Sequence, residues 1–280
     1  MSIENLYPFA GTHAVQSAIF VVEWTEPLKA EIIQGFSKLS AKYKNQGLPH
    51  VQHQQQFEFK IDTLPGNAGQ RATQAGIPAA IVFVQSDTQE QVVRSVTLSK
   101  TSCMVVIPDY TRWNDVYADV FKYLSIALEE LKGVRAISTV SLQYTDVFSW
   151  KDDPDSLNLR DVFSDNNYIP ATIFERRGLW HVHQGSLENI AEPVSHRRLE
   201  NVNVDMLDTA GERVIQIVGA HRAMLSTPLW QAHLKNKDTL TGIFESLHAA
   251  NKRVLTRLLT PAVCEKIKLI NVGEENASRS

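Results

Sequence analysis

Apolar and polar positions alternate with period two over Val51–Ile61. Val51, His53, Gln55, Phe57, Phe59 and Ile61 take one face, and Gln52, Gln54, Gln56, Glu58 and Lys60 take the other. That pattern predicts a strand with one face on a core and one in water. Val15–Trp24, rich in β-branched and aromatic residues, predicts another, as do Ala79–Gln85, Gln91–Leu98 and Ser102–Ile107. Helical spacing governs Leu28–Tyr43, through Leu28, Ile32, Ile33, Phe36 and Leu39. It is stronger over Thr111–Leu131, where Trp113, Val116, Tyr117, Val120, Leu124, Ala127, Leu128 and Leu131 form one stripe that ends before Gly133. A long strand is expected over Val134–Phe148, with Ala136, Val140, Leu142, Tyr144 and Phe148 on one face.

The later half repeats the theme. Strands are expected at Thr172–Arg176, Leu179–Gly185, Arg198–Leu207 and Glu212–Ala220, then a helix over Thr239–Leu259 with Asp238 as its N-cap. Leu64–Gly76 reads as a turn-rich loop, and Lys151–Ser156, charged and containing Pro154, reads as the central linker. The expectation is an α+β protein of two antiparallel-sheet units, each backed by a long amphipathic helix, with structural duplication as one way to arrive there. The units are 1–150 and 165–270, joined by a linker at 151–164 and followed by a disordered polar tail at 271–280.

Composition narrows the class. The 280 residues carry 28 Lys+Arg against 31 Asp+Glu, a formal charge of −3. Residues 1–150 hold 12 basic and 14 acidic side chains and the rest hold 16 and 17, so no basic half stands ready for phosphates. Nucleic acid is therefore a disfavoured partner. The apolar runs are short, such as Ala79–Val84, and Met1–Asn5 shows neither a basic nor an apolar leader pattern. No membrane association is expected. Cys103 and Cys264 form neither a CxxC pair nor a disulfide framework, which suits a reducing cytoplasm.

Common nucleotide, hydrolase and kinase motifs are absent, so no catalytic residue is assigned and no cofactor is expected. Several constellations carry chemistry all the same. His181 and His183, two apart on a strand, point to one face and offer a divalent-metal site, with His196, His221 or Glu175 as a third ligand. Arg176, Arg177, Arg197 and Arg198 offer anion binding if the strands bring Arg177, Arg197, His221 and Arg222 together, although adjacent residues on a strand face opposite ways. His248 and Asn251 interrupt the apolar stripe of the last helix beside Phe244, so they line a pocket, cap a strand end or join a dimer seam. Tyr110, Trp113, Tyr117, Phe121 and Tyr123, with Tyr144, Phe148 and Trp150, supply an aromatic core or a protein-binding groove.

These residues also carry a resemblance. Tyr110-Thr111-Arg112-Trp113 resembles the Tyr-x-x-Trp helix start of a sporadically distributed bacterial family of similar length, and Leu247-His248 resembles its Leu-His in the last long helix. Leu142–Asp146 stands where that family more often shows an Arg-Tyr-x-Asn run, and Leu255 where an aromatic is usual. The resemblance implies an accessory role, such as genome defence or a toxin–antitoxin module, and no particular reaction. The leading expectation is a non-enzymatic binding or adaptor protein acting through a protein partner or self-association. A metal-assisted hydrolase or nuclease at His181 and His183 is the second reading. A nucleic-acid or nucleotide binder using the four arginines is the third.

Overall fold

The structure, a computed structural model, describes residues 3–61, 72–230 and 237–269. Ten strands form one antiparallel sheet: β1 Leu6–Pro8, β2 Val15–Trp24, β3 His50–Ile61, β4 Ala72–Ser86, β5 Val92–Ser99, β6 Ser102–Ile107, β7 Ile137–Trp150, β8 Trp180–Ile190, β9 His196–Thr209 and β10 Glu212–Leu229. Among the described residues six α-helices accompany them: α1 Ala30–Gly35, α2 Ser40–Asn45, α3 Trp113–Glu130, α4 Leu159–Val162, α5 Lys237–Leu258 and α6 Pro261–Lys266. The strand order is β3-β4-β5-β6-β2-β7-β10-β9-β8, with β1 also on β7.

Two separate sheet units are therefore not what forms. The fold is mostly sheet, and it is continuous. The joint lies at the centre, where β2 and β7 pair antiparallel from Val15↔Asp146 to Trp24↔Ile137. Strand β7 also pairs with β10, from Arg213↔Trp150 to Leu229↔Ile137. Each long helix has a face on this common sheet, and they meet each other where the Tyr117 hydroxyl bonds Thr241 Oγ1 at 3.1 Å. Periodicity along a strand reveals its faces and not its neighbours, which is why the units looked separable.

One face of the sheet carries the core. Ala18, Phe20 and Val22 on β2, Cys103, Val105 and Ile107 on β6, and Val140, Leu142 and Tyr144 on β7 pack under α1–α3 and the start of α5. A second cluster joins Phe148, Ile215, Ile217, Val202, Val204 and Trp180 to the end of α5, α4 and α6. Apolar residues at the alternate positions, such as Ile19, Val21, Met104 and Val218, belong to neither cluster.

Several local expectations shift. The expected Leu28–Tyr43 helix is broken into α1, a 3-10 turn at Phe36–Leu39 and α2. The expected strand Thr172–Arg176 is a 3-10 turn, Ala171–Ile173, following Pro170. Strand β4 begins at Ala72, inside the expected loop, whose earlier part lies outside the described residues. The stretch read as linker contains α4 and buries Leu159, Val162 and Phe163 in the second cluster. The proposed Asp238 cap falls within α5, and the side chain of Asp238 lies outside the described residues, as does the 271–280 tail. No helix among the described residues is long and apolar enough to cross a membrane.

Candidate functional site

Where β7 passes beneath α5, its core-facing positions read Val140, Leu142, Tyr144, Asp146, Phe148. Asp146 is a carboxyl in a row of apolar side chains. It is 2% exposed, and its Oδ2 has no hydrogen-bond partner among the described residues. Burial alone pushes its carboxyl up to about 7, because removing water penalises the charged form. A buried acid left unpaired is costly, and strongly perturbed acids of this kind concentrate at functional sites.

Asp146 lines a cavity of about 210 Å³. Five segments contribute to its wall: His13–Val15 before and into β2, Tyr110–Trp113 at the start of α3, Tyr144 and Asp146 on β7, His248 to Leu255 on α5, and Ile267–Leu269 after α6. The wall is aromatic and ordered. The Trp113 indole stacks on the His248 imidazole at 4.2 Å and 2°, and its neighbour Tyr117 stacks on it at 5.0 Å and 15°. His248 Nδ1 and the Tyr144 hydroxyl are hydrogen-bonded at 2.9 Å. Tyr110 stands edge-on to Tyr144 at 5.6 Å, and His13 edge-on to Tyr110 at 5.9 Å. Burial keeps both phenols protonated, Tyr110 being pushed up to about 12 and Tyr144 well above its ordinary value. Burial, with the nearby Arg112 charge, lowers His13. Arg112 and Lys268 are exposed wall residues and Lys252 is half-buried, so cationic side chains join the rim.

Beneath the cavity, the His221 Nε2–H donates to Asn251 Oδ1 at 3.2 Å, which places the His221 proton on Nε2. The side chain of Asn251 fits only because residue 219 is glycine; a Cβ there would lie 2.2 Å from Asn251 Oδ1. Burial, opposed by the bond to Asn251, lowers His221 to about 4, so this imidazole is neutral.

Among the residues singled out from sequence, Tyr110, Trp113, Tyr144, His248 and Asn251 meet in this cavity. Tyr117 stands behind them as a buried second ring of the stack. The arginines do not converge. Arg176 and Arg177 line a separate shallow cleft with Arg213 and Trp180. Arg197 is exposed on one side of β9, while Arg198, on the other side, is buried and donates to Glu188 Oε2 at 2.6 Å. Arg222 pairs with Glu23 on the face opposite His221. Strand alternation separates Arg197 from Arg198, whereas Arg176 and Arg177 lie off any strand, before β8.

His181 and His183 do share a face of β8, exposed, where they bond Asp205 and Asn203 across the strand pair. The suggested third ligands His196 and His221 are buried on the sheet's core-bearing face. No group of three His, Cys, Asp or Glu side chains among the described residues is arranged to hold a metal ion.

No protein-family model and no curated protein matches this chain.

The residues that sequence reasoning passed over as site candidates include Asp146, His13, Arg112, Lys252 and Lys268. A signal for Asp146 existed: it occupies the same-face position between Tyr144 and Phe148, where the alternation demands an apolar residue.

Proposed function

We propose that this chain is a non-enzymatic binding component that takes a small organic ligand into the Asp146 cavity and acts through a protein partner or a second copy of itself. The observation that carries the reading is the buried Asp146 carboxyl, whose Oδ2 has no partner among the described residues, in the wall of a preformed aromatic cavity. A structural carboxyl would have been given a partner by the fold, as Arg198 and Glu188 give each other. Of the stretches behind the family resemblance, Tyr110–Trp113 and His248 line this cavity, and so does Tyr144 on the run where the chain departs from that family; Leu247 lies in the core instead. That convergence supports a common role for them, in keeping with a part in an accessory bacterial system. The metal-assisted reading at His181 and His183 has less support, since each imidazole already bonds a neighbour on β9 and the buried histidines face away.

The test is thermal unfolding of the full chain against a panel of amino acids, nucleotides, polyamines and organic acids, in wild type and in Asp146→Asn. A true ligand at about 100 times its Kd raises Tm by roughly 5 °C or more in wild type, with the shift lost in the variant. A panel that leaves wild-type Tm unchanged overturns the reading.

A further inference from the structure

Four features of the cavity constrain its ligand. Asp146 at the base supplies a carboxyl whose buried oxygen receives no hydrogen bond from the described residues. When the carboxyl is ionised such an oxygen requires N–H or O–H donors, and charge-assisted, bidentate donors satisfy a carboxylate best. The wall is flat and aromatic, with Trp113 and His248 parallel within 2° and Tyr110 and Tyr144 standing edge to face. Flat π-surfaces favour planar, electron-poor or cationic groups. The volume, about 210 Å³, lies below the ~300–1,000 Å³ typical of drug-sized sites, so the occupant is metabolite-sized. Arg112 and Lys268 lie exposed in the wall and favour a negative charge at the solvent end.

The geometry points to a ligand that inserts a planar group bearing two parallel N–H donors onto Asp146, while its anionic end meets Arg112 and Lys268 at the mouth. A guanidinium and the N1–H/N2–H edge of a guanine share this fork. An amino acid carrying a guanidinium and a guanine nucleotide are therefore the two sources of one chemistry. The ligand supplies the partner that the fold withholds from the acid. Burial is the cause of the raised Asp146 carboxyl, so its ionised form gains most from a donor that comes in with the ligand. An ammonium group lacks the fork. An adenine edge offers one donor beside one acceptor and mismatches an ionised carboxylate.

This inference rests on the binding reading above, and its test separates the two. Isothermal titration of the full chain at pH 8 uses L-arginine against L-lysine, and GMP against AMP. Arginine or GMP is expected to bind about tenfold or more tightly than its counterpart, and Asp146→Asn to lose that affinity about tenfold or more, while circular dichroism shows it folded. Preference for arginine identifies a guanidinium ligand, and preference for GMP a guanine. Equal binding within both pairs, no binding of arginine or GMP at millimolar concentration, or an Asp146→Asn protein that keeps wild-type affinity overturns the inference. If the thermal panel still yields a stabilising compound of another kind, the cavity remains a binding site and only the fork is refuted.

Discussion

Replacing Asp146 by Asn should stabilise the protein at alkaline pH, although it removes the group on which the proposed binding rests. An Asp unfolds to an ordinary carboxyl near 3.8, whereas in the fold burial raises it to about 7. The folded state therefore holds its proton more tightly. Between those two values the unfolded chain ionises and the folded chain does not, so stability falls as pH rises. Above about 7 the cost is constant, about 4 kcal/mol at 1.36 kcal/mol per tenfold difference in proton affinity. Between pH 5 and pH 8 the change is roughly 3 kcal/mol. Asn has nearly the same shape and never ionises. Urea unfolding of both proteins at the two pH values isolates the effect, because every other titrating group cancels in the difference. The variant's advantage should grow by roughly 3 kcal/mol from pH 5 to pH 8. An advantage that stays constant within error would mean that Asp146 is not desolvated in solution, and the case for the cavity would fall with it.

Gly219→Ala should cost about 1–3 kcal/mol, because the new Cβ displaces the Asn251 amide and strips His221 Nε2 of its partner. The double variant with Asn251→Ala should be no less stable than Asn251→Ala alone, and additive losses in a double-mutant cycle would refute the contact. His221, lowered to about 4 chiefly by burial, contributes stability that is complete above about 6.5 and is lost as pH falls toward 4. The stability of wild type relative to His221→Gln should thus drop by about 3 kcal/mol from pH 7 to pH 4 in urea titrations, and a flat difference would contradict a buried neutral imidazole.

Long, regular stretches were readable from their residues. Val15–Trp24 forms the expected strand, and the apolar stripes of α3 and α5 lie against the sheet as their spacing requires. The sheet's continuity was not readable. It depends on β2 meeting β7 across more than a hundred residues, and nothing in either strand's own alternation names its partner. The four arginines show the same limit in miniature, since Arg197 and Arg198 are split between the faces of β9, and Arg176 and Arg177, expected at a strand end, lie off any strand in a separate cleft. Thr172–Arg176 failed differently, for a segment with β-branched residues but a proline just before it made a tight turn. His248 and Asn251 were found because polar residues in an apolar helical stripe are conspicuous. Asp146 broke the same rule on a strand, where an acid between aromatic neighbours is easily assigned to the solvent side.

The cavity wall runs from His13 to Leu269, nearly the whole described length of the chain. During synthesis, β2 and β7 leave the ribosome long before α5 and α6, so a nascent or truncated chain has Asp146 but no His248, Asn251 or Lys268 beside it. On the reading proposed above, a ligand binds only after the last helices arrive. Since a ligand stabilises only the state that binds it, a cell rich in ligand would protect finished chains from proteolysis and leave truncated ones exposed. The cavity would then couple the abundance of the intact protein to the supply of a small molecule, with no change in its transcription.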